Sequence, residues 1–266
     1  MGMTIGDMKI GSQLLFGKYG VRNDAPQPII WLKGTPNSDF ITLNAVDYIC
    51  FDAKESANRD YQYTGNPTYK VSNIHNFLNS DVEDWFRPVH QADTPPSQRY
   101  VQSRWSTYDS HFGFLYHFEE YELESIKFET FEVDGEPITS LMRLPSAENI
   151  LGANRFKVFS KKGIRPKATE DLLSARAAHG YGYESYIPFW VSDCSLHGQA
   201  ATIGRSGNCE RKFASDCSGL RPVCTINQDV PVLKREDGIY YIEPRTIQQN
   251  VCTDDELFAF LGMVQP

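Results

Sequence analysis

Cysteine offers the most chemistry of any residue type in this chain, because a thiolate serves both as a nucleophile and as a metal ligand. The sequence contains six cysteines: Cys50, Cys194, Cys209, Cys217, Cys224 and Cys252. No two of them form a Cys-x-x-Cys pair, so neither a zinc ribbon nor a thioredoxin-type motif is indicated. Four lie between residues 194 and 224, where one sheet would bring them together as thiols, as disulfides or as metal ligands. We interpret them as reduced, half-buried strand cysteines, the usual state of thiols in a cytoplasm.

Histidine and carboxylate side chains come closest to a metal-binding pattern near residue 115. His111 and His117 lie near Asp109, Glu119 and Glu120, but this spacing fits no zinc-site template. The chain has no glycine-rich phosphate loop and no Gly-x-Ser-x-Gly elbow, and its Gly-Arg-Ser-Gly stretch is typical of a hairpin turn. The sequence therefore predicts no catalytic residue, no metal site and no cofactor.

The charge balance argues against several classes of partner. The chain has 26 basic and 34 acidic residues, a net charge of −8, and it lacks a basic block that would hold nucleic-acid phosphates or an anionic membrane surface. Its apolar runs are too short to span a bilayer, and residues 1–10 lack the pattern of a secretory signal. We expect a soluble protein made in a cytoplasm, with no nucleic-acid binding and no membrane insertion.

Short apolar and aromatic runs punctuated by Gly, Pro, Asn and Asp predict strands in the first part of the chain. These runs lie at residues 14–16, 28–32, 40–43 and 48–51. Ser72 then caps a predicted helix that places Ile74, Phe77 and Leu78 on one face. Residues 86–110, which are polar and contain three prolines, predict a long loop.

Hairpin signals dominate the second half of the chain. Two predicted strands meet at an Asp134-Gly135 turn, and Thr169 caps a predicted helix. Residues 187–232 are dense in short strands and turns, and residues 233–266 predict one more strand followed by a helix.

Six segments, taken in order between residues 8 and 230, resemble an uncharacterised bacterial and phage domain family with a C-type-lectin-like fold. That family is a distant relative of the formylglycine-generating enzyme domain. The segments are Gly11-Ser12-Gln13-Leu14-Leu15-Phe16-Gly17-Lys18-Tyr19, Ile29-Ile30-Trp31, Ile74-His75-Asn76-Phe77-Leu78-Asn79, Leu144-Pro145-Ser146-Ala147-Glu148, Phe189-Trp190-Val191-Ser192 and Gly219-Leu220-Arg221-Pro222-Val223. One departure is that the arginine usual after the tryptophan is absent, since Val191 leads to Ser192.

The resemblance implies an α+β, C-type-lectin-like fold of mixed and antiparallel sheets with hairpins and two or three short packed helices. The domain would span residues 1–232, with an insertion at about 81–110. Residues 233–266 would form a C-terminal tail that docks on its own domain or on a neighbouring subunit. Structural roles are expected for Trp31, Phe77, Trp190, Gly219, Arg221 and Pro222.

Three of these residues have a specific expected role. The indole of Trp190 is expected to fill the core where two hairpins meet. Arg221 is expected to snorkel or to pair with a carboxylate, and Pro222 to mark an edge or a bulge.

The resemblance also implies two possible activities, a copper-dependent oxidase and a calcium-dependent lectin. A formylglycine-type oxidase needs a close thiol pair that binds copper, and Cys209 and Cys217 lie in the right region without the expected spacing. Calcium-dependent lectins use Glu-Pro-Asn or Gln-Pro-Asp together with Trp-Asn-Asp, and neither pattern occurs in this chain. We therefore expect a protein that is not an enzyme and has no calcium-dependent sugar site.

In phage relatives of this fold, the segments between the tryptophan strand and the Gly-x-Arg-Pro strand form an exposed ligand-binding face. The resemblance places five candidate ligand-binding residues there: Asp193, His197, Arg205, Asn208 and Arg211. Three further candidates, Tyr181, Tyr183 and Tyr186, lie in the segment that precedes the tryptophan strand and are chosen for its composition. A segment rich in tyrosine and glycine is typical of an adaptable binding surface. The alternative is that the three tyrosines cover the core.

The expected function is that of a non-enzymatic surface protein of a bacteriophage virion, made in the bacterial cytoplasm. It would act as a capsid decoration or head fibre, or as a tail-tip or baseplate component that recognises the host. Its partners would be other virion proteins, a host receptor or a glycan, and it would form a homo-oligomer. The alternatives are a bacterial or prophage-encoded binding module of unknown ligand and, after that, an oxidase of the formylglycine-generating type.

Overall fold

The computed structural model describes residues 2–21, 23, 25–152, 156, 167–177, 187–193 and 199–244. Within these residues, β-strands prevail over four short helices, and the sheets are antiparallel or mixed. The predicted α+β class is thereby confirmed, with β-structure as its larger part. In the described part of the chain, no helix combines the length and the apolarity needed to cross a membrane.

The strands, in chain order, are β1 (Gln13–Tyr19), β2 (Gln27–Lys33), β3 (Asp39–Thr42), β4 (Asp47–Cys50), β5 (Glu129–Val133), β6 (Glu136–Ser140), β7 (Met142–Arg143), β8 (Phe189–Trp190), β9 (Gln199–Ile203), β10 (Cys209–Phe213), β11 (Cys217–Leu220), β12 (Val223–Thr225), β13 (Val232–Lys234) and β14 (Tyr240–Ile242). The helices are α1 (Asn73–Leu78), α2 (Glu120–Ser125), α3 (Ala147–Leu151) and α4 (Glu170–Ala177).

Two sheets build the body of the molecule. A seven-stranded sheet has the order β13-β14-β1-β2-β3-β12-β7, and a five-stranded sheet has the order β10-β9-β8-β11-β4. The pairs β1–β14 and β8–β11 are parallel and the other pairs of these sheets are antiparallel, so both sheets are mixed. Strands β5 and β6 form a separate hairpin around the predicted Asp134-Gly135 turn.

The chain makes two short passages between the sheets, through residues 43–46 and 221–222, and these two passages are neighbours. Strand β3 lies in the seven-stranded sheet and β4 in the five-stranded sheet, while β11 and β12 make the reverse passage. These strands pair across the passages, with Ile41 opposite Val223 and Tyr48 opposite Gly219. The Gly-Leu-Arg-Pro segment therefore lies where the two sheets are joined.

The main hydrophobic core contains Trp190, Trp31 and Phe77, none of which is exposed to solvent. Each indole satisfies its N–H inside the core, because Trp190 Nε1 donates to the Ile49 carbonyl and Trp31 Nε1 to the Phe16 carbonyl, both at 2.8 Å. Phe189, the neighbour of Trp190 in β8, packs into a second cluster. Strand β8 thus buries both of its faces.

A bulge interrupts β1 shortly before Tyr19. The register with β2 shifts between Leu15 and Lys18, and Gly17 has a φ of +64°. A Cβ atom on Gly17 would come within 2.3 Å of the Phe118 ring, so only glycine fits here. The Gly17 N–H donates to Glu122 Oε1 at 2.8 Å, which ties the bulge to α2.

Helix α1 confirms the predicted capped helix, because the Ser72 hydroxyl accepts a hydrogen bond from the His75 N–H. Its buried residue Phe77 packs against Trp85 and Tyr108, with ring centroids 5.3 and 5.1 Å away. Trp85 and Tyr108 stack on each other and are fully buried. The segment interpreted from the sequence as an insertion thus supplies two aromatic rings to the main core.

The beginning of the expected C-terminal tail belongs to the seven-stranded sheet. Strand β14 pairs in parallel with β1, with Leu14 opposite Tyr240, and β13 pairs with β14 at the edge. This part of the tail docks on its own domain. The helix predicted further along the tail lies outside the described residues.

Candidate functional site

The surface expected to bind a ligand is described in part. Tyr181, Tyr183, Tyr186 and His197 lie outside the described residues. Asp193, Arg205, Asn208 and Arg211 are described: Asp193 follows β8, and the other three lie in the turn and second strand of the β9–β10 hairpin.

The β9–β10 hairpin combines a buried strand with an exposed one. Four of the five residues of β9 are buried, whereas four of the five residues of β10 are exposed. Strand β10 is an edge strand of its sheet. Its charged side chains, such as Arg211, protect this edge from unspecific pairing with other strands and remain open to solvent.

The turn of the hairpin is fixed by its own backbone. The Gly204 N–H donates to the Asn208 carbonyl at 2.8 Å, the Gly207 N–H donates to the Gly204 carbonyl at 2.9 Å, and Gly207 has a φ of +81°. Arg205 and Asn208 are both exposed on this turn. The structure therefore displays Arg205, Asn208 and Arg211 together on one ordered hairpin.

Asp193 is engaged in the fold. Its Oδ1 accepts a hydrogen bond of 2.6 Å from the Ala147 N–H at the start of α3. Burial raises the pKa of the Asp193 carboxyl, and the bond from Ala147 opposes that rise. The side chain therefore holds α3 beside the five-stranded sheet.

The hairpin stands on a closely packed base. Gly219 of β11 donates its N–H to the Pro188 carbonyl at 2.7 Å, and a Cβ atom at this position would come within 2.9 Å of that oxygen. Glycine therefore permits the close approach of β11 and β8. Arg221 and Pro222 are also buried, and the Arg221 Nε donates to the Thr42 carbonyl at 3.1 Å.

The thiols are distributed over the sheets in a way that the sequence did not predict. Cys209 lies opposite Ile203, and Cys217 lies opposite Cys50. Two strands, β9 and β8, separate β10 from β11 in the order of the sheet. The two cysteines considered for an oxidase are therefore on strands that do not pair, and Cys50, which has no neighbouring cysteine in the sequence, faces Cys217.

Backbone geometry makes the Cys50–Cys217 pair suitable for a disulfide. Gly219 donates its N–H to β8 and not to β4. Because residues two apart in a strand direct their backbone groups to the same side, those of Cys217 also point away from β4. Cys50 and Cys217 thus form a non-hydrogen-bonded pair, in which the Cα atoms are about 4.5 Å apart. That separation lies within the range that a disulfide spans.

We expect oxidised glutathione to crosslink Cys50 and Cys217. The half-buried Cys217 attacks one sulfur of the reagent and releases one glutathione, and Cys50 then attacks the mixed disulfide and releases the second. Burial raises the pKa of the Cys50 thiol, so we expect the second step to be slow. Peptide mapping by mass spectrometry should show the crosslinked pair in the native protein and in Cys209→Ser, but not in Cys217→Ser. A dominant Cys209–Cys217 crosslink in the native protein would contradict the register described here.

His111 belongs to a polar cluster with two residues distant in sequence. The Tyr19 hydroxyl donates to Asp47 Oδ2, and His111 Nδ1 lies 3.2 Å from both the Tyr19 oxygen and Asp47 Oδ2. Burial and the Asp47 charge raise the pKa of Tyr19 well above its ordinary value, so the phenol remains a donor at neutral pH. No motif in the sequence signals this cluster.

The acidic residues that the sequence placed near His111 do not complete a metal site. Glu119 lies 3.5 Å from Lys18 at the surface. Across the described ranges, no group of three or more histidine, cysteine, aspartate or glutamate side chains is arranged to hold a metal ion.

A cavity of about 340 Å³ lies beside this cluster. Tyr19 forms part of its wall, together with residues of β2, the 43–46 segment and the start of α4. Backbone hydrogen bonds hold α4 in place, because the Ala45 N–H donates to the Lys167 carbonyl at 2.8 Å and the Thr169 N–H donates to the Ala45 carbonyl at 3.0 Å. The sequence did not predict this cavity, because nothing in it indicates that β2 and α4 lie close together.

Two regions of the described structure therefore have the geometry for contact with other molecules, the exposed β9–β10 hairpin and the cavity beside Tyr19. The hairpin offers charged and amide side chains on an ordered support. The cavity offers a concave, partly polar wall. Comparison of the chain with family models, with curated proteins and with solved structures gives no match.

Proposed function

We propose that this chain is a non-enzymatic recognition protein of a bacteriophage particle, with a C-type-lectin-like fold that contacts a protein or a glycan through the β9–β10 hairpin. The observation that carries the proposal is the hairpin itself, in which a buried strand presents an exposed, charged edge strand and an ordered turn. Binding residues on loops that a rigid scaffold positions are the usual arrangement in recognition domains.

The hairpin suits recognition because the strands that support it are held in place and need to rearrange little when a partner binds. Strand β9 is buried and pairs with β8, which is anchored by Trp190. The exposed side chains Arg205, Asn208 and Arg211 combine charge with hydrogen-bonding capacity. A preorganised surface loses less conformational entropy on binding than a mobile one.

The virion setting rests on the resemblance of six ordered segments to a family found in phages and bacteria. In that setting the protein is made in the bacterial cytoplasm, assembles as a homo-oligomer and becomes part of the particle surface. It serves as a capsid decoration or head fibre, or as a tail-tip or baseplate component that meets the host.

A second candidate is a bacterial or prophage-encoded binding module that acts apart from a particle. The docking of β13 and β14 on β1 of the same chain favours it, since this part of the tail is used within the domain and not on a neighbouring subunit. Mass spectrometry of density-purified phage particles separates the two candidates. We expect stoichiometric amounts of the chain in the particles, and its absence from them would overturn the virion proposal.

Charge reversal on the hairpin tests the binding role. We expect Arg211→Glu to slow adsorption of particles to host cells, or binding of the purified protein to its glycan or protein partner, by about tenfold. The matched control is Arg235→Glu, which changes net charge equally but lies beyond β13, where Arg235 pairs with Asp237 at the surface. Equal binding by the two variants would show that the hairpin is not the contact surface.

A further inference from the structure

The cavity beside Tyr19 has the size and lining of a small-molecule site. Its volume of about 340 Å³ falls within the range of pockets that hold ligands of hexose size or larger. Apolar residues of β2 and of the 43–46 segment, among them Ile29 and Val46, form one part of the wall. Such a surface packs against the C–H face of a small ring.

The remaining wall is polar and acidic. Its polar residues are Tyr19, Gln27, Asn44, Thr169, Glu170 and Asp171. Among the described residues that line the cavity, two carry a negative charge and none carries a positive one. The described part of the lining therefore favours a cation over an anion.

The two carboxylates differ in how they are held. Asp171 Oδ2 accepts a hydrogen bond of 3.0 Å from the Val21 N–H, which fixes the side chain, and its other oxygen makes no hydrogen bond with the described residues. Glu170 is exposed and makes no hydrogen bond or ion pair with the described residues. The Asn44 side chain, half-buried in the wall, likewise makes no hydrogen bond with them. These groups supply acceptors for an ammonium group and partners for hydroxyl groups.

The position of Tyr19 is determined in advance of any binding. Its ring packs against Phe114, with 5.3 Å between the ring centroids, and its hydroxyl is bonded to Asp47 beside His111. The ring therefore forms a fixed part of the wall, and the backbone bonds of Ala45 hold the start of α4, which forms another part. A preformed cavity of this kind is the common form of a small-molecule site.

We propose that this cavity binds a small organic cation, namely an ammonium group carried on a hydroxylated ring of hexosamine size. The ammonium group lies between Glu170 and Asp171, the hydroxyl groups bond to Asn44 and Gln27, and the C–H face of the ring packs on the apolar wall. The lining residues are distinct from β9 and β10, so this site does not rest on the proposed function of the hairpin.

The test is a calorimetric titration of the full chain with glucosamine and with N-acetylglucosamine at low salt. The two sugars share a ring and differ in the charged ammonium group. We expect glucosamine to bind with a Kd on the order of 1 mM, as suits a ligand of this size. N-acetylglucosamine is expected to bind at least about tenfold more weakly, and added salt is expected to weaken glucosamine binding.

Two conservative variants locate the site. Asp171→Asn retains the acceptor for the Val21 N–H, and Glu170→Gln changes an exposed side chain, so we expect both to fold with an unchanged Tm. Each should weaken glucosamine binding at least about threefold, and the double variant should abolish saturation. The matched control Glu236→Gln, at an exposed position beyond β13, should bind as the native chain does.

Three results would overturn the proposal: equal affinity for the two sugars, saturable binding by the double variant, or no glucosamine binding at all. Arg211→Glu is expected to bind glucosamine normally. Failure of the hairpin to recognise a partner and failure of the cavity to bind a cation are therefore separate results.

Discussion

Replacing Trp190 with alanine is expected to lower the free energy of unfolding by about 3–5 kcal/mol. The indole is fully buried in the main core, where its ring centroid lies 5.6 Å from that of Phe51. Its N–H is bonded to the Ile49 carbonyl, so truncation removes a large apolar surface and leaves a buried acceptor without its donor. Urea denaturation should show a lower midpoint with an unchanged m-value.

Two control variants separate the contributions to this loss. Trp190→Phe retains most of the ring and loses the N–H, so we expect a smaller decrease of about 1–2 kcal/mol. Phe213→Ala removes an aromatic ring from exposed strand β10 and should change stability by about 0.5–1 kcal/mol. If Trp190→Ala were no more destabilising than Phe213→Ala, the indole would not be part of the core as described.

Replacing Arg221 with methionine is expected to lower the free energy of unfolding by about 1–3 kcal/mol. The guanidinium is fully buried and donates to the Thr42 carbonyl, and its Nη2 lies 3.2 Å from the Leu43 carbonyl. Methionine fills similar space but leaves these buried oxygens without that donor. Burial lowers the pKa of the guanidinium to about 9, so it remains charged at neutral pH and keeps these bonds.

The same substitution at an exposed position is the natural comparison for Arg221. Arg211→Met on strand β10 should change stability by less than about 0.5 kcal/mol, because the side chain there is exposed. Chemical denaturation of both variants, fitted with a common m-value, measures the difference. Equal stability of the two variants would mean that the bonds of Arg221 to the β3–β4 passage contribute nothing.

The parts of the fold that follow local rules could be predicted from the sequence. Helix α1 begins where Ser72 provides a cap, and the spacing of Ile74, Phe77 and Leu78 gives it a buried face. The run at 28–32 lies within strand β2 and the run at 48–51 overlaps strand β4, because their residue types suit strands. In each case neighbouring residues carry the whole signal.

Features that depend on distant residues could not be predicted. Tyr19, Asp47 and His111 meet although 92 residues separate the first from the last. Trp85 and Tyr108 lie in a polar, proline-containing stretch without regular periodicity, so nothing local indicates that both rings are buried. The pairing of β14 with β1 likewise joins opposite ends of the described chain.

The candidate binding residues likewise divide into those that local sequence predicts correctly and those that depend on distant contacts. Turn-forming residues at 204–208 correctly indicated a hairpin, and Asn208 and Arg211 are exposed on it. Asp193 was grouped with them because of its sequence position, yet its carboxylate is used by the first turn of α3. Sequence proximity does not reveal which polar side chain has an internal partner.

The two passages of the chain between the sheets have a consequence for how the molecule comes apart. Strand β3 continues directly into β4 of the other sheet, and β11 continues directly into β12. Arg221, between β11 and β12, donates a hydrogen bond to the Thr42 carbonyl at the end of β3 and so joins the two passages. Unfolding of either sheet therefore displaces strands that continue into the other sheet, so neither sheet can unfold while the other stays native. Heat or denaturant should therefore dismantle both sheets in a single cooperative event.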